Sequence, residues 1–102
     1  MVRQLESLIT NDCLNYLTKL EKEGKPIYHE HRSGSVGFSV KKGIPDLFVV
    51  VNGTHIECEL KTPVGKRSTM QEKYEVIFKS KGIKYICPHS FDEFKTYIDS
   101  LL

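Results

Sequence analysis

Asn52-Gly53, set between Leu47-Phe48-Val49-Val50-Val51 and Thr54-His55-Ile56-Glu57-Cys58, constrains this chain more than any other pair of residues. Both residues tolerate a positive φ, so between two β-branched runs they read as a two-residue type I′ hairpin turn. A two-residue loop also fixes the register. Val51 then faces Thr54, and counting outward sets Phe48 against Glu57 and Asp46 against Glu59. Directly opposed side chains have Cβ atoms roughly 4.5–5.5 Å apart, and like charges there are destabilising. Lys61 lies two residues beyond Glu59 and projects from the same face. Two facing carboxylates and a lysine at the end of an apolar ribbon are what a hard divalent cation and a polarised water require. The expectation is a metal-dependent site for phosphodiester chemistry.

The rest of the chain supplies the elements around this ribbon. Leu5, Leu8, Ile9, Cys13, Tyr16, Leu17 and Leu20 recur at three- and four-residue spacing, which predicts an amphipathic helix from about residue 3 to about 22. Gly24 and Pro26 end it. Residues 27–32 alternate weakly and read as a strand, 33–37 as a loop rich in glycine and serine, and 38–41 as a short strand. Pro45 suits the first position of the hairpin's leading strand. After the loop at 62–67, Ser68-Thr69-Met70-Gln71 is a capping box opening a helix to about Lys81, with Met70, Tyr74, Ile77 and Phe78 as its apolar stripe. A buried strand at 83–87 follows, broken by Pro88. Ser90-Phe91-Asp92-Glu93 is a second capping box, and the last helix turns Phe91, Phe94, Ile98 and Leu101 inward. The order is α-β-β-β-α-β-α, an α/β domain with a mixed central sheet, and residues 1–102 are read as one domain.

Composition excludes some classes and suggests a partner. Hydrophobic residues make up 39% and charged residues 27%, which is ordinary for a globular chain and argues against disorder. The net charge of +2 is small, so any hold on nucleic acid must come from local clustering. Arg32, Lys41, Lys42, Lys66 and Arg67 are expected around the mouth of the site as a basic rim for phosphates, with His29 and His31 near them. Three cysteines without paired spacing point to free thiols in a reducing compartment. With no signal-like N-terminus and no apolar run of membrane length, the expected location is the cytoplasm, or the host-cell cytoplasm if the chain is viral.

Pro45-Asp46, followed thirteen residues after the aspartate by Glu59-Leu60-Lys61, resembles the signature of the PD-(D/E)XK nuclease superfamily. The finer pattern is similar to the virus-type replication-repair nuclease (VRR-NUC) domain. It comprises Gly43-Ile44-Pro45-Asp46-Leu47, Glu59-Leu60-Lys61-Thr62-Pro63 with Ser68 and Gln71, and Glu6-x-x-Ile9 through Tyr16-Leu17. The resemblance covers nearly the whole chain and implies a restriction-endonuclease-like core. It also implies that Asp46 and Glu59 hold Mg²⁺ or Mn²⁺ with the Leu60 backbone carbonyl, and that Glu6 reaches the ion or its waters. Lys61 is implied to orient the attacking water, and Gln71 to be a polar residue of the site. No organic cofactor is implied. Tyr74 follows Gln71 by three residues, where some relatives place a tyrosine four residues on, and it receives no role.

Plainer roles compete at several positions. Glu57 shares the face of Glu59 but opposes Phe48, which makes it an outer or rim residue. Gln71 has a full explanation as the N3 residue of its capping box. Glu6 is equally a solvated flank of the first helix. His29, Glu30 and His31 alternate on a strand without cysteines nearby, so they do not read as a zinc site. The expectation is a divalent-metal-dependent, structure-selective DNA endonuclease that pairs into a homodimer and resolves four-way (Holliday) junctions. The alternatives are a nuclease for flaps or plain duplex, a sequence-specific restriction-like enzyme, and a non-catalytic nucleic-acid-binding or dimerisation module on the same fold.

Overall fold

The computed structural model describes the backbone of residues 2–32 and 43–102, and side chains from residue 5 onward within those stretches. The sequence-based loop at 33–37, the short strand at 38–41, and Lys41 and Lys42 lie outside the described residues. The elements are α1 (Val2–Lys22), β1 (Ile27–His31), β2 (Leu47–Val51), β3 (Thr54–Cys58), α2 (Thr69–Ser80), β4 (Lys84–Ile86) and α3 (Phe91–Leu101). This is the order expected from the sequence.

The hairpin sets the frame. Asn52 and Gly53 both have positive φ, 51° and 80°. That matches a type I′ turn, whose twist suits the strands it joins. Val51 pairs with Thr54, Val49 with Ile56, Phe48 with Glu57 and Leu47 with Cys58. β1 adds antiparallel on the outer side of β2, from Ile27 opposite Val51 to His31 opposite Leu47. β4 adds parallel to β3, with Glu57 opposite Tyr85 and Cys58 opposite Ile86. The sheet order β1-β2-β3-β4 is therefore mixed.

Strand alternation sends Leu47, Val49, Val51, Ile56 and Cys58 to one face, where Leu60 continues the row. α1 covers that face with Ile9, Cys13, Leu17 and Leu20, and α3 with Phe94 and Ile98. Polar contacts staple the two helices together. Tyr16 of α1 donates to Asp99 of α3, which Lys95 of the same helix also holds at 2.7 Å, and the Tyr16 and Phe91 rings meet edge-on at 5.7 Å. Asn52 Nδ2 donates to Leu101 O at 3.0 Å, tying the hairpin turn to the end of α3. α2 lies against β4. Its stripe of Met70, Tyr74, Ile77 and Phe78 is only half-buried, so α2 rests on the sheet's edge region without entering the core.

Other departures from the sequence reading are local. Leu5 and Leu8 fit the helical stripe but are 41% and 55% exposed. At 3.6 residues per turn Leu5 and Leu8 fall beside the arc of Ile9, Cys13, Leu17 and Leu20 that meets the sheet, and on the side of α1 away from the cleft lined by Glu6, Ser7, Thr10 and Asn11. The box at α3 is half formed: Ser90 Oγ accepts from Glu93 N, but Glu93 Oε1 takes the His89 N–H at 3.1 Å. Cys87 falls just past β4 and is half-buried, whereas Cys13 and Cys58 are fully buried, and all three thiols are free. No described helix is long and apolar enough to cross a membrane.

Candidate active site

Asp46 stands at the foot of β2 in a turn held from several sides. Arg32 N donates to Asp46 O at 2.7 Å, extending the β1–β2 ladder by one bond, and Arg32 Nη1 donates to Pro45 O at 3.0 Å. Gly43 opens the turn at φ +85°, and a Cβ there would lie 2.6 Å from Met70 Cβ. Only glycine permits both that conformation and that approach, so the turn beds directly on the first residues of α2.

Glu59-Leu60-Lys61 continues β3 in extended form along β4. Glu59 N donates to Ile86 O at 3.0 Å and Lys61 N to Pro88 O at 3.1 Å. This ladder fixes the alternation that sends Leu60 into the core and leaves Glu59 and Lys61 on the opposite face. Lys61 is half-buried, and a Cβ on Gly65 would press on Thr62, 3.0 Å from its Oγ1 and 3.3 Å from its N, so the bare backbone at 65 lets the loop close against Thr62.

Glu59 is 1% exposed, and its Oε1 has no hydrogen-bond partner among the described residues. Its pKa is pushed up to about 9, first by burial and then by the Asp46 carboxylate, with a further push from Glu6 and a partial offset from Lys61. The register that opposes Asp46 to Glu59 therefore produces electrostatic conflict. A buried carboxylate facing another carboxylate is destabilised as an anion unless a cation joins it. The orphaned Oε1, the all-oxygen donors and their shared charge fit a hard divalent ion. Among the described residues no three His, Cys, Asp or Glu side chains converge as a ligand set. Main-chain and water oxygens would have to complete the shell around the pair, as Mg²⁺ commonly allows. Glu6 lines one cleft with Asp46, together with Ser7, Thr10, Asn11 and His31, and acts on Glu59 through its charge.

Solved structures share this fold. One described as a VRR_NUC domain matches at a TM-score of 0.71 and 20% identity, covering 95% of this chain and 97% of that one. Another, described as a VRR_NUC domain protein, matches at 0.77 and 17% identity, covering 96% of this chain and 88% of that one. The chain has the VRR-NUC fold. No family model and no curated protein matches the sequence.

Within this VRR-NUC fold the remaining sequence-based site residues scatter. Gln71 Oε1 accepts from Ser68 N at 2.7 Å and Ser68 Oγ from Gln71 N at 3.2 Å, so the side-chain oxygen of Gln71 is engaged in its capping box. Arg67 binds Glu75 and lies 5.8 Å above the Tyr85 ring, which directs it toward α2 and β4. Lys66 is exposed. Arg32 is held in an ion pair with Glu57 at 2.5 and 3.0 Å.

Glu57 narrows the sequence reading of an outer or rim residue. The rim is excluded, because the side chain is 1% exposed. Its oxygens are taken up by the Arg32 fork and by His55 Nε2 at 2.7 Å. The register opposite Phe48 fixes the face of Glu57 but says nothing about partners that reach it from beyond β2. The available signal was the acid at 57 with a histidine two residues before it on the same face, lacking only Arg32 from β1.

Proposed function

We propose that this protein is a divalent-metal-dependent DNA endonuclease. One observation carries the reading: a buried carboxylate, Glu59, is set against Asp46 with its charge opposed and one oxygen unpartnered. Binding alone gains nothing from such a repulsive pair, whereas a cation turns it into an asset. The VRR-NUC fold and the lysine two residues beyond Glu59 support the same reading.

Mg²⁺ or Mn²⁺ would be held by Asp46, Glu59 and the Leu60 carbonyl, with Glu6 acting through water, and when bound supplies charge to offset the transition state and lowers the pKa of water. Lys61, two residues beyond Glu59 on the same face and close enough for its charge to lower the Glu59 pKa, would orient the attacking water and balance charge on the scissile phosphate. The water forms a new bond from its oxygen to phosphorus and loses a proton to solvent. The bond from phosphorus to the 3′ oxygen breaks, and that oxygen takes up a proton, leaving a 5′-phosphate and a 3′-hydroxyl.

A chain of 102 residues covers few nucleotides, so a branched duplex calls for two copies. The proposed substrate is a four-way junction and the proposed assembly a homodimer acting in a reducing, cytoplasmic compartment, in keeping with three free thiols. Lys66, Lys41 and Lys42 are the proposed phosphate contacts. The test incubates wild type, Asp46→Asn and Lys61→Ala with labelled junctions, flaps and linear duplex in Mg²⁺ or Mn²⁺, alongside sedimentation equilibrium. Wild type should nick junctions only with metal, and both variants should lose at least about a hundredfold in rate. Unimpaired cleavage by both variants overturns the site, and a monomeric wild type that cuts linear duplex equally well overturns the junction assignment.

A further inference from the structure

Resting on the nuclease reading, we infer that Arg32 is a positioning residue that fixes Asp46 through its backbone, with Glu57 and His55 as its anchor. Arg32 grips both carbonyls that bracket the aspartate: its side chain holds Pro45 O at 3.0 Å and its main-chain N–H holds Asp46 O at 2.7 Å. Asp46 lies just outside β2, where the main-chain bond from Arg32 is the last of the ladder and the guanidinium adds a hold on Pro45 O. The same guanidinium is locked by two bonds to Glu57, and Glu57 is locked in turn by His55. Glu57 belongs to β3, the strand whose extension carries Glu59 and Lys61. One side chain thus links the edge strand, the Asp46 turn and the strand that bears the other two site residues.

A rival use of Arg32, as a direct phosphate contact, conflicts with these bonds. Leaving Glu57 for a phosphate would strand a buried carboxylate, which is far costlier than losing a surface pair. A planar fork suits the clamp because it reaches a carbonyl and a carboxylate together, whereas a lysine offers a single point charge.

The two roles separate in Arg32→Lys and Glu57→Gln. Arg32→Lys keeps the charge and loses the fork, and Glu57→Gln removes the anchor while leaving the arginine. Each variant is checked by circular dichroism and compared with wild type in three measurements: Mn²⁺ affinity without DNA by calorimetry, kcat and KM for a labelled junction, and the salt dependence of DNA binding in Ca²⁺. Positioning predicts that both variants bind Mn²⁺ more weakly and lose on the order of 10- to 100-fold in kcat, with KM and the salt slope unchanged. Phosphate contact predicts the reverse: Arg32→Lys raises KM, Glu57→Gln leaves binding equal or tighter, and Mn²⁺ affinity does not move. That pattern, or two variants indistinguishable from wild type, overturns the inference while leaving the nuclease intact. If Arg32→Lys does not fold, Glu57→Gln reads the same contact from its other side. A wild type that neither binds Mn²⁺ nor cuts DNA removes the underlying reading and this inference with it.

Discussion

Glu59 sets stability against the proposed chemistry in one side chain. Burial and Asp46 raise its pKa to about 9, so at neutral pH the fold favours a proton where the proposed metal site needs an anion. Glu59→Gln keeps the shape, removes the charge and offers Asp46 a donor. Without metal at pH 8 it is expected to be more stable than wild type by about 1 kcal/mol or more, roughly 4–8 °C in Tm for a chain of this size. It should also abolish cleavage. Differential scanning calorimetry beside a nicking assay checks both halves. A destabilised Glu59→Gln would mean that the anion already has a partner within the fold, and the reason for placing a cation there would vanish. Gln71 is the opposite case, because its oxygen is already engaged by Ser68 N. Gln71→Glu retains that acceptor and is expected to cleave within about threefold of wild type; a loss of a hundredfold would give Gln71 a part in the chemistry instead.

At the level of elements, short-range signals were legible and three-strand contacts were not. Asn52-Gly53 announced the hairpin and its register because turn geometry and side-chain alternation are both local. Ser68 and Gln71 announced α2 for the same reason. The Arg32–Glu57–His55 cluster was hidden because its members come from two strands and its energetic meaning depends on burial at position 57. The exposure of Leu5 and Leu8 was likewise hidden, since a helical stripe does not report where the opposing surface ends. The turn into β2 offers a direct test of this local logic. Gly43→Ala meets both a positive φ of 85° and a contact of 2.6 Å with Met70 Cβ. It is expected to cost at least about 1 kcal/mol from the backbone alone, and to lower cleavage because the same turn carries Asp46. Ser68→Ala should cost about 1 kcal/mol with little change in rate per folded molecule. Urea melts and single-turnover nicking on the same samples distinguish the two. Equal effects of both substitutions on rate would show that the Gly43 turn does not position the site.

Across the whole molecule, stability, protons and metal become linked. A carboxyl whose pKa is raised on folding binds more protons in the native state than in the unfolded chain. Its contribution to stability is therefore complete below its ordinary pKa and is lost as pH climbs toward about 9. Glu75 and Asp99 run the other way. Lys79 and Arg67 hold Glu75 below the usual carboxylate range, and Lys95 and Tyr16 do the same for Asp99, so their contributions are lost as pH falls. The net melting profile mixes both signs, and the difference between wild type and Glu59→Gln isolates the site. That difference should widen steadily from pH 5 to pH 9 without metal. On the proposed reading Mg²⁺ would bind only the native fold and compete with the Glu59 proton, stabilising by RT ln(1 + [Mg²⁺]/Kd) with a Kd that tightens as pH rises. Wild type should thus gain little in Tm from 10 mM Mg²⁺ at pH 5 and roughly 10–20 °C at pH 8, about 2.7 kcal/mol, if the ion is at roughly a hundred times Kd. Glu59→Gln should gain almost nothing at either pH. Ca²⁺ in place of Mg²⁺ should stabilise wild type without supporting turnover, which separates occupancy from chemistry. A wild-type profile unmoved by either ion at pH 8 would leave Asp46 and Glu59 as an uncompensated repulsion, and the cation would have no place in this fold.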